Sequence, residues 1–258
     1  MSSLLSPLAR WPYPRTMAHR GAGKLAPENT LAAIRHGSAL GYRATEIDVK
    51  CSGDGVCFLL HDDTLERTTD GSGRADALSW SALACLDAGR WHSANFAGEP
   101  LPTYRAVLAW CSANGIALNT EIKPVKGSER ATGARVAFDT VSGWTGTQPA
   151  PLLSSFSTEA LLAARDAVAI LPRAHLFAHP LPTDWLERCR AVGAVALDCN
   201  WVSLTPAIVD EAHAAGLHVV CYTCNQPEQV QELLSWGVGT VITDAIDRVP
   251  FQPALAGR

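Results

Sequence analysis

Short apolar runs alternate with longer amphipathic segments along most of the chain, and Gly, Pro and Asn residues mark many of the boundaries. Apolar runs bounded by turn residues predict buried strands, and the segments between them have the periodicity of helices. The predicted strands cover residues 16–19, 44–49, 116–123, a run ending at 154–155, 173–178, 194–198, 218–223 and 240–243. Buried strands that alternate with helices form a parallel sheet. Eight such repeats predict an α/β fold, a (β/α)8 barrel, with residues 1–258 as a single domain.

The segments between the predicted strands carry recognisable helix starts. Asn29 or Thr30 is placed to cap the first helix, and Ser157 is placed to cap a helix rich in Ala and Leu. Thr205 and Pro206 predict another helix start, because proline is well tolerated in the first turn. The remaining predicted helices cover residues 104–114, 131–141, 184–192 and 227–236.

The alternation of strands and helices is interrupted between residues 62 and 102, where turn-forming residues are frequent. An apolar run at 56–60 leads into this segment, so we expect a small insertion after the second strand that covers one end of the barrel. Trp80 and Trp91 lie within it. We expect both rings only to pack the insertion against the rest of the protein.

Charged side chains lie near the ends of two predicted strands. Glu46 and Asp48 are two residues apart in the second strand, and Glu121 and Lys123 have the same spacing in the third. Residues i and i+2 of a strand share a face, and the carboxyl ends of barrel strands meet at one rim. Buried strands seldom carry charge without partners. The acidic pairs therefore suggest a divalent cation held by oxygen ligands.

Two histidines and an arginine follow apolar runs. His19 and Arg20 precede a Gly-rich turn, and His61 ends the run at 56–60. A neutral imidazole can move a proton near pH 7, and a guanidinium can hold a phosphate or a carboxylate by two hydrogen bonds. The alternative is a helix-capping loop in which His19 is merely hydrogen-bonded. Three more polar residues at strand ends are expected only to complete hydrogen bonds at the barrel mouth: Ser155, Asp198 and Asp244.

These motifs together resemble the glycerophosphodiester phosphodiesterase family. The resemblance runs nearly the whole chain and is closest to bacterial cytosolic members. It rests on five motifs, which are His19-Arg20-Gly21, Glu28-Asn29-Thr30, Glu46-x-Asp48, His61-Asp62 and Glu121-x-Lys123. It implies a barrel phosphodiesterase that hydrolyses small glycerophosphodiesters to glycerol 3-phosphate and an alcohol.

The resemblance also implies roles for the individual residues. Three carboxylates, Glu46, Asp48 and Glu121, bind one divalent cation, and oxygen ligands favour Mg²⁺ or Ca²⁺ without separating the two. Arg20 and Lys123 contact the phosphate. The remaining pair, His19 and His61, acts as general acid and base in an unassigned order. The attacking oxygen comes from the substrate's own glycerol hydroxyl or from water.

Trp201 follows the predicted strand at 194–198, and Tyr222 lies near the end of the one at 218–223. Both are candidates for lining a pocket around the non-reacting part of the substrate.

Three other functions compete with the phosphodiesterase. In an aldolase, Lys123 would form a Schiff base, but neighbouring carboxylates would keep its amine protonated. A non-catalytic anion-binding barrel leaves the two histidines unexplained. A barrel phospholipase would need an exposed apolar or basic rim, which the sequence does not indicate.

Composition limits the remaining possibilities. The net charge is −4, and the sequence has no cluster of Lys and Arg residues of the kind that binds nucleic-acid phosphates. Residues 1–10 lack the charged start and continuous apolar core of a secretion signal, and no run approaches the roughly 18 apolar residues that span a bilayer. The eight cysteines are spread through apolar runs, as in proteins of a reducing compartment. We therefore expect a cytoplasmic enzyme with a small-molecule substrate and no membrane insertion; its alcohol group and oligomeric state stay undetermined.

Overall fold

The computed structural model describes residues 10–255, so nearly all of the segment inspected for a secretion signal lies outside the described residues. In this range the strands β1 to β9 are Thr16–Ala18, Ala44–Cys51, Cys57–Leu59, Ala117–Ile122, Leu152–Ser155, Arg173–Phe177, Ala196–Asn200, His218–Tyr222 and Thr240–Thr243. The helices α1 to α8 are Leu31–Ala39, Trp80–Leu83, Tyr104–Asn114, Glu129–Gly143, Thr158–Ala167, Trp185–Ala191, Pro206–Ala214 and Pro227–Ser235.

Eight of the described strands close into a barrel. Their hydrogen-bonded order is β1-β9-β8-β7-β6-β5-β4-β2, and β1 also pairs with β2. Every pairing within this ring is parallel. The predicted (β/α)8 barrel is confirmed. The apolar run at 56–60 contributes β3, which turns back and pairs antiparallel with the end of β2.

Side-chain hydroxyls cap the N-termini of several helices, as the sequence predicts. Thr30 accepts a hydrogen bond from the backbone N–H of Ala33 and caps α1. Ser157 caps α5 and Thr205 caps α7 in the same way. Each hydroxyl satisfies a backbone donor that has no partner inside the helix. The predicted helix at 104–114 agrees with α3 at both ends.

Alternation along the barrel strands separates an inner from an outer set of side chains. Ile47 of β2 and Leu118 of β4 belong to an apolar cluster that also contains residues of α3, α4 and α5. Ala44 and Ala117, on the opposite faces of the same strands, belong to a second cluster with Met17, and their side chains fill the barrel interior. Successive residues of a strand point to opposite faces. Positions two and four residues after each alanine therefore face the inside of the barrel.

The segment between residues 62 and 102 has its own small apolar cluster. Phe58, Leu65 and Leu83 are buried in it, and Trp80 packs against it, as expected. Trp91 is 39% exposed, and its indole N–H donates to the carbonyl of Ala88 at 2.8 Å. The insertion is thus anchored to the end of the barrel where β2 ends. Within residues 10–255, no helix has both the length and the apolar character needed to cross a bilayer.

Candidate active site

Three carboxylates from neighbouring strands meet inside the barrel. Glu46 and Asp48 come from β2 and Glu121 comes from β4, and each offers an oxygen within 4.8 Å of the others. The strand register places Asp48 directly beside Glu121, and all three residues occupy inward positions two or four residues after the interior alanines. Parallel pairing thus converts the two i, i+2 motifs into one compact acidic cluster.

Asp48 is held in place with one oxygen left over. Its Oδ2 accepts a hydrogen bond from Asn29 Nδ2 at 2.7 Å and lies 3.2 Å from Arg20 Nε, and its backbone N–H donates to Asn29 Oδ1 at 3.0 Å. Among the described residues Oδ1 has no hydrogen-bond partner, although it is buried; Lys123 Nζ lies 3.7 Å away. A buried carboxylate oxygen without a partner is costly. An oxygen-binding cation beside Glu46 and Glu121 would satisfy it, so the cluster fits Mg²⁺ or Ca²⁺.

The pKa values of the three carboxyls are strongly perturbed. Burial and the neighbouring carboxylates raise the pKa of Glu46 well above its usual value and raise the pKa of Glu121 to about 7. Burial also acts on Asp48, but the positive charges of Arg20 and Lys123 outweigh it and lower its pKa to about 2. Close buried carboxylates resist simultaneous ionisation. A bound divalent cation would relieve that repulsion.

Two cationic side chains flank the acidic cluster. Arg20 has a φ of +50°, and its backbone N–H donates to Glu46 at 3.1 Å while its Nη1 donates to Glu28 at 2.8 Å. Lys123 Nζ donates to Glu121 at 3.0 Å. Burial lowers the pKa of Lys123, but Asp48 and Glu121 more than compensate and raise it above its usual value. The amine therefore stays an ammonium, which argues against a Schiff-base nucleophile.

Both candidate catalytic histidines have a carboxylate on the same ring nitrogen. His19 Nδ1 lies 2.6 Å from Asp244 Oδ1, and His61 Nδ1 lies 2.6 Å from Asp62 Oδ1. The pKa of Asp62 is held below its usual value mainly by Arg67, and hydrogen bonding from His19 lowers the pKa of Asp244 despite its burial. An ionised carboxylate only accepts hydrogen bonds, so each Nδ1 carries a hydrogen. In the neutral tautomer Nε2 is left free to accept a proton.

One cavity of about 200 Å³ opens at the carboxyl ends of the strands and brings these groups together. Seven of the site residues predicted from the sequence line it: His19, Arg20, Glu46, His61, Glu121, Lys123 and Tyr222. Burial lowers the pKa of His61, so this imidazole is neutral at pH 7. A neutral imidazole, buried carboxyl groups and two cationic side chains therefore face one small cavity.

A comparison with protein-family models agrees with this geometry. The model of the glycerophosphoryl diester phosphodiesterase family matches residues 19–248. The chain belongs to this family. As a glycerophosphodiester phosphodiesterase it is a phosphoric diester hydrolase, which confirms the fold and the enzyme class that the sequence predicts.

Individual relatives cover almost the whole of this phosphodiesterase. A glycerophosphodiester phosphodiesterase of Caldanaerobacter subterraneus subsp. tengcongensis is 28% identical over 88% of this chain and 93% of its own length. A solved phosphodiesterase of Oleispira antarctica, in complex with the product sn-glycerol-3-phosphate, has 33% identity and a TM-score of 0.86 over 90% of this chain and 94% of its own. A solved chain from Silicibacter pomeroyi, 24% identical with a TM-score of 0.79 and 90% coverage of both chains, shares the fold.

The two residues predicted to line a substrate pocket, Trp201 and Tyr222, lie in different places in the structure of the phosphodiesterase. Tyr222 lines the cavity, its hydroxyl donates to the carbonyl of Phe177 at 2.8 Å, and its ring meets Phe156 edge-on. Trp201 does not belong to the cavity lining. It begins a short 3-10 helix after β7 and packs against the apolar cluster that contains Leu204. Its ring therefore contributes to the apolar core and not to the cavity.

Several residues that support the site were not predicted as part of it. Asp244, expected only to complete hydrogen bonds at the rim, holds His19. Glu28, Asn29 and Asp62 lie inside the quoted motifs, and Arg67 follows five residues after Asp62. Position within or near a motif was the available signal, but it does not indicate long-range partners, such as Asp48 of β2 for Asn29 and Glu28 for Arg67.

Proposed function

We propose that this enzyme hydrolyses glycerophosphodiesters to glycerol 3-phosphate and an alcohol with one divalent cation, held by Glu46, Asp48 and Glu121, and with His19 and His61 as general acid and base. The observation that carries the proposal is the buried acidic cluster with the partnerless Asp48 oxygen, flanked by two histidines that each have a carboxylate on Nδ1. The bound glycerol 3-phosphate of the Oleispira antarctica relative supports this choice of product.

The phosphate is proposed to bind between Arg20 and Lys123. Both side chains line the cavity and keep N–H groups beyond those that contact Glu28, Asp48 and Glu121. A guanidinium and an ammonium neutralise the negative charge of a phosphodiester and hold its oxygens in place. When bound, the divalent cation supplies further positive charge that stabilises the phosphoryl oxygens.

The two histidines then divide the proton transfers. One Nε2 takes the proton of the attacking hydroxyl, which belongs to the substrate's glycerol or to water, as that oxygen bonds to phosphorus. The other imidazole, protonated on Nε2, gives its proton to the alcohol oxygen as the bond from phosphorus to that oxygen breaks. Where water attacks, this step yields glycerol 3-phosphate directly. Where the glycerol hydroxyl attacks, it yields a cyclic phosphate, and water then bonds to phosphorus and breaks the ring ester bond with the two histidines in exchanged roles, which gives glycerol 3-phosphate. Asp62 and Asp244 keep the rings oriented and stabilise whichever imidazolium is present, because both stay ionised.

Soluble deacylated diesters are the expected substrates. We expect glycerophosphocholine and glycerophosphoethanolamine to be cleaved to glycerol 3-phosphate, and phospholipid vesicles to be left intact, because the cavity of about 200 Å³ is small. The measurement is release of glycerol 3-phosphate with Mg²⁺ or Ca²⁺ added back after chelation. Comparable turnover of vesicle lipid, or full activity after exhaustive chelation, would contradict the proposal. A cytoplasmic location remains part of the same proposal.

The bound cation is also expected to stabilise the protein. A ligand at a hundred times its dissociation constant adds about 2.7 kcal/mol to the free energy of unfolding. For a chain of this size that corresponds to a rise in Tm on the order of 5–10 °C. Thermal unfolding with and without Mg²⁺ or Ca²⁺ measures the shift without any substrate. The Asp48→Asn variant is the matched control, and an equal shift in that variant would place the cation elsewhere.

A further inference from the structure

Arg67, in the segment inserted at 62–102, joins two loops at the rim of the cavity. Its Nε lies 2.5 Å and its Nη2 3.1 Å from the two carboxylate oxygens of Asp62. On its other side Nη1 lies 2.7 Å and Nη2 2.8 Å from the oxygens of Glu28. One guanidinium therefore binds two carboxylates by paired contacts, and it lies outside the cavity lining.

Each of these carboxylates also holds a residue that we place in the reaction. Asp62 Oδ1 accepts from His61 Nδ1 at 2.6 Å, and Glu28 Oε1 accepts from Arg20 Nη1 at 2.8 Å. Arg67 is thus one side chain removed from a proposed proton-transfer group and from a proposed phosphate-binding group. These two groups come from different loops, one after β1 and one after β3.

We propose that Arg67 is a positioning residue that sets His61 and Arg20 in a fixed relation to each other by binding Asp62 and Glu28 at once. The inference rests on the proposed roles of those two residues. It goes beyond them, because Arg67 touches neither the cavity nor the acidic cluster.

The shape of the guanidinium matters to this role. Arginine presents its donors in a planar fork that matches carboxylates on two edges, whereas the lysine ammonium is a compact point charge. The Arg67 side chain is 44% exposed, so charge attraction alone is screened by water and gives little. Its effect is instead geometric. Without the Arg67 guanidinium, Asp62 and Glu28 lose their shared partner. The orientation of His61 is then no longer fixed relative to that of Arg20.

Removing the fork is expected to slow turnover while leaving the fold intact. Misplacing a reacting group by about 1 Å can cost on the order of 10²-fold in rate, so we expect Arg67→Ala to lower kcat/KM by about 10- to 100-fold. Arg67→Lys should recover only part of the loss. Arg74→Ala is the matched control, because Arg74 lies in the same inserted segment, has a largely exposed side chain and pairs with Asp76, outside the cavity lining. We expect the control to keep normal kinetics.

Double variants separate positioning from a general loss of stability. If Arg67 acts through Asp62 and Glu28, adding Arg67→Ala to the Asp62→Asn, Glu28→Gln pair should cost less than about twofold. If Arg67→Ala reduces kcat only in enzymes that keep Asp62, the effect acts through His61. If it raises KM only in enzymes that keep Glu28, the effect acts through Arg20. Either result supports the inference. The same loss in every background would overturn it, as would normal kinetics in folded Arg67→Ala or Arg67→Lys.

The outcome of this series is distinguishable from failure of the proposed function. If His61→Ala and Asp62→Asn both keep full kcat, the catalytic role of His61 is wrong, whatever Arg67 does. If those variants lose turnover and the Arg67 variants do not, the catalytic role stands and only the positioning role of Arg67 is wrong. Thermal unfolding of each variant shows whether it is folded at the assay temperature.

Discussion

Replacing Glu46, Asp48 or Glu121 by the corresponding amide is expected to abolish both cation binding and turnover. Each substitution removes an oxygen ligand together with a negative charge, and a hard divalent cation depends on both. A divalent cation stabilises the charge of the transition state by several kcal/mol, so kcat should fall by about 10²–10³-fold or more. Calorimetric titration with Mg²⁺ and Ca²⁺, next to turnover of glycerophosphocholine, measures the two effects on the same preparation.

Asp198 provides a matched control for cation binding. It is a buried carboxyl on β7 that faces the same cavity but does not belong to the acidic cluster. Burial raises the pKa of Asp198 well above its usual value, which favours the neutral carboxyl, and Asp198→Asn replaces it by a neutral side chain of the same shape. We expect this variant to bind the cation normally. Normal binding in Glu121→Gln, or equal loss in both variants, would show that the cluster is not the cation site.

Removing either of the two proposed catalytic histidines is expected to leave the cation in place and to remove most of the turnover. General acid and base groups each contribute typically about 10²–10⁴-fold, so His19→Ala and His61→Ala should lose activity mainly in kcat. His213→Ala is the control, because His213 is exposed on α7 and does not belong to the cavity lining. Cation titration of the same variants should resemble the parent enzyme, because neither imidazole belongs to the three-carboxylate cluster.

The choice of leaving group then assigns the two roles. A nitrophenyl ester of glycerol phosphate has a leaving oxygen that needs little protonation. It should restore turnover to the variant that lacks the acid but not to the variant that lacks the base. Near-normal kcat of both variants on the natural diester would contradict the paired-histidine mechanism, and His19 and His61 would then be rim residues held by Asp244 and Asp62.

Local patterns alone were sufficient to predict much of the site. Glu46 and Asp48 share a face because strand residues alternate, and this spacing can be read without any knowledge of neighbours. The caps at Thr30 and Ser157 are equally local, since each hydroxyl bonds a backbone N–H three residues later. Repetition of such units predicts the parallel barrel, and the parallel barrel predicts that charged strand ends meet.

Contacts between distant parts of the chain decided the rest. The register that sets Asp48 beside Glu121 turns two separate motifs into one cluster, in which the buried Oδ1 of Asp48 has no hydrogen-bond partner among the described residues. Asp244 reaches His19 across 225 positions, and Arg67 reaches Glu28 across 39.

The sequence by itself determined the repeating strands and helices, the faces on which the charges lie and the family to which the motifs belong, because each depends on spacing within one segment. Only the tertiary structure decided the partners of those charges, through the closure of the barrel and the path of its loops. It brought Tyr222, the last residue of β8, into the cavity and placed Trp201, the first residue after β7, against the surrounding core. A side chain's partner depends on which strands and loops become neighbours, and one sequence segment carries no record of the others.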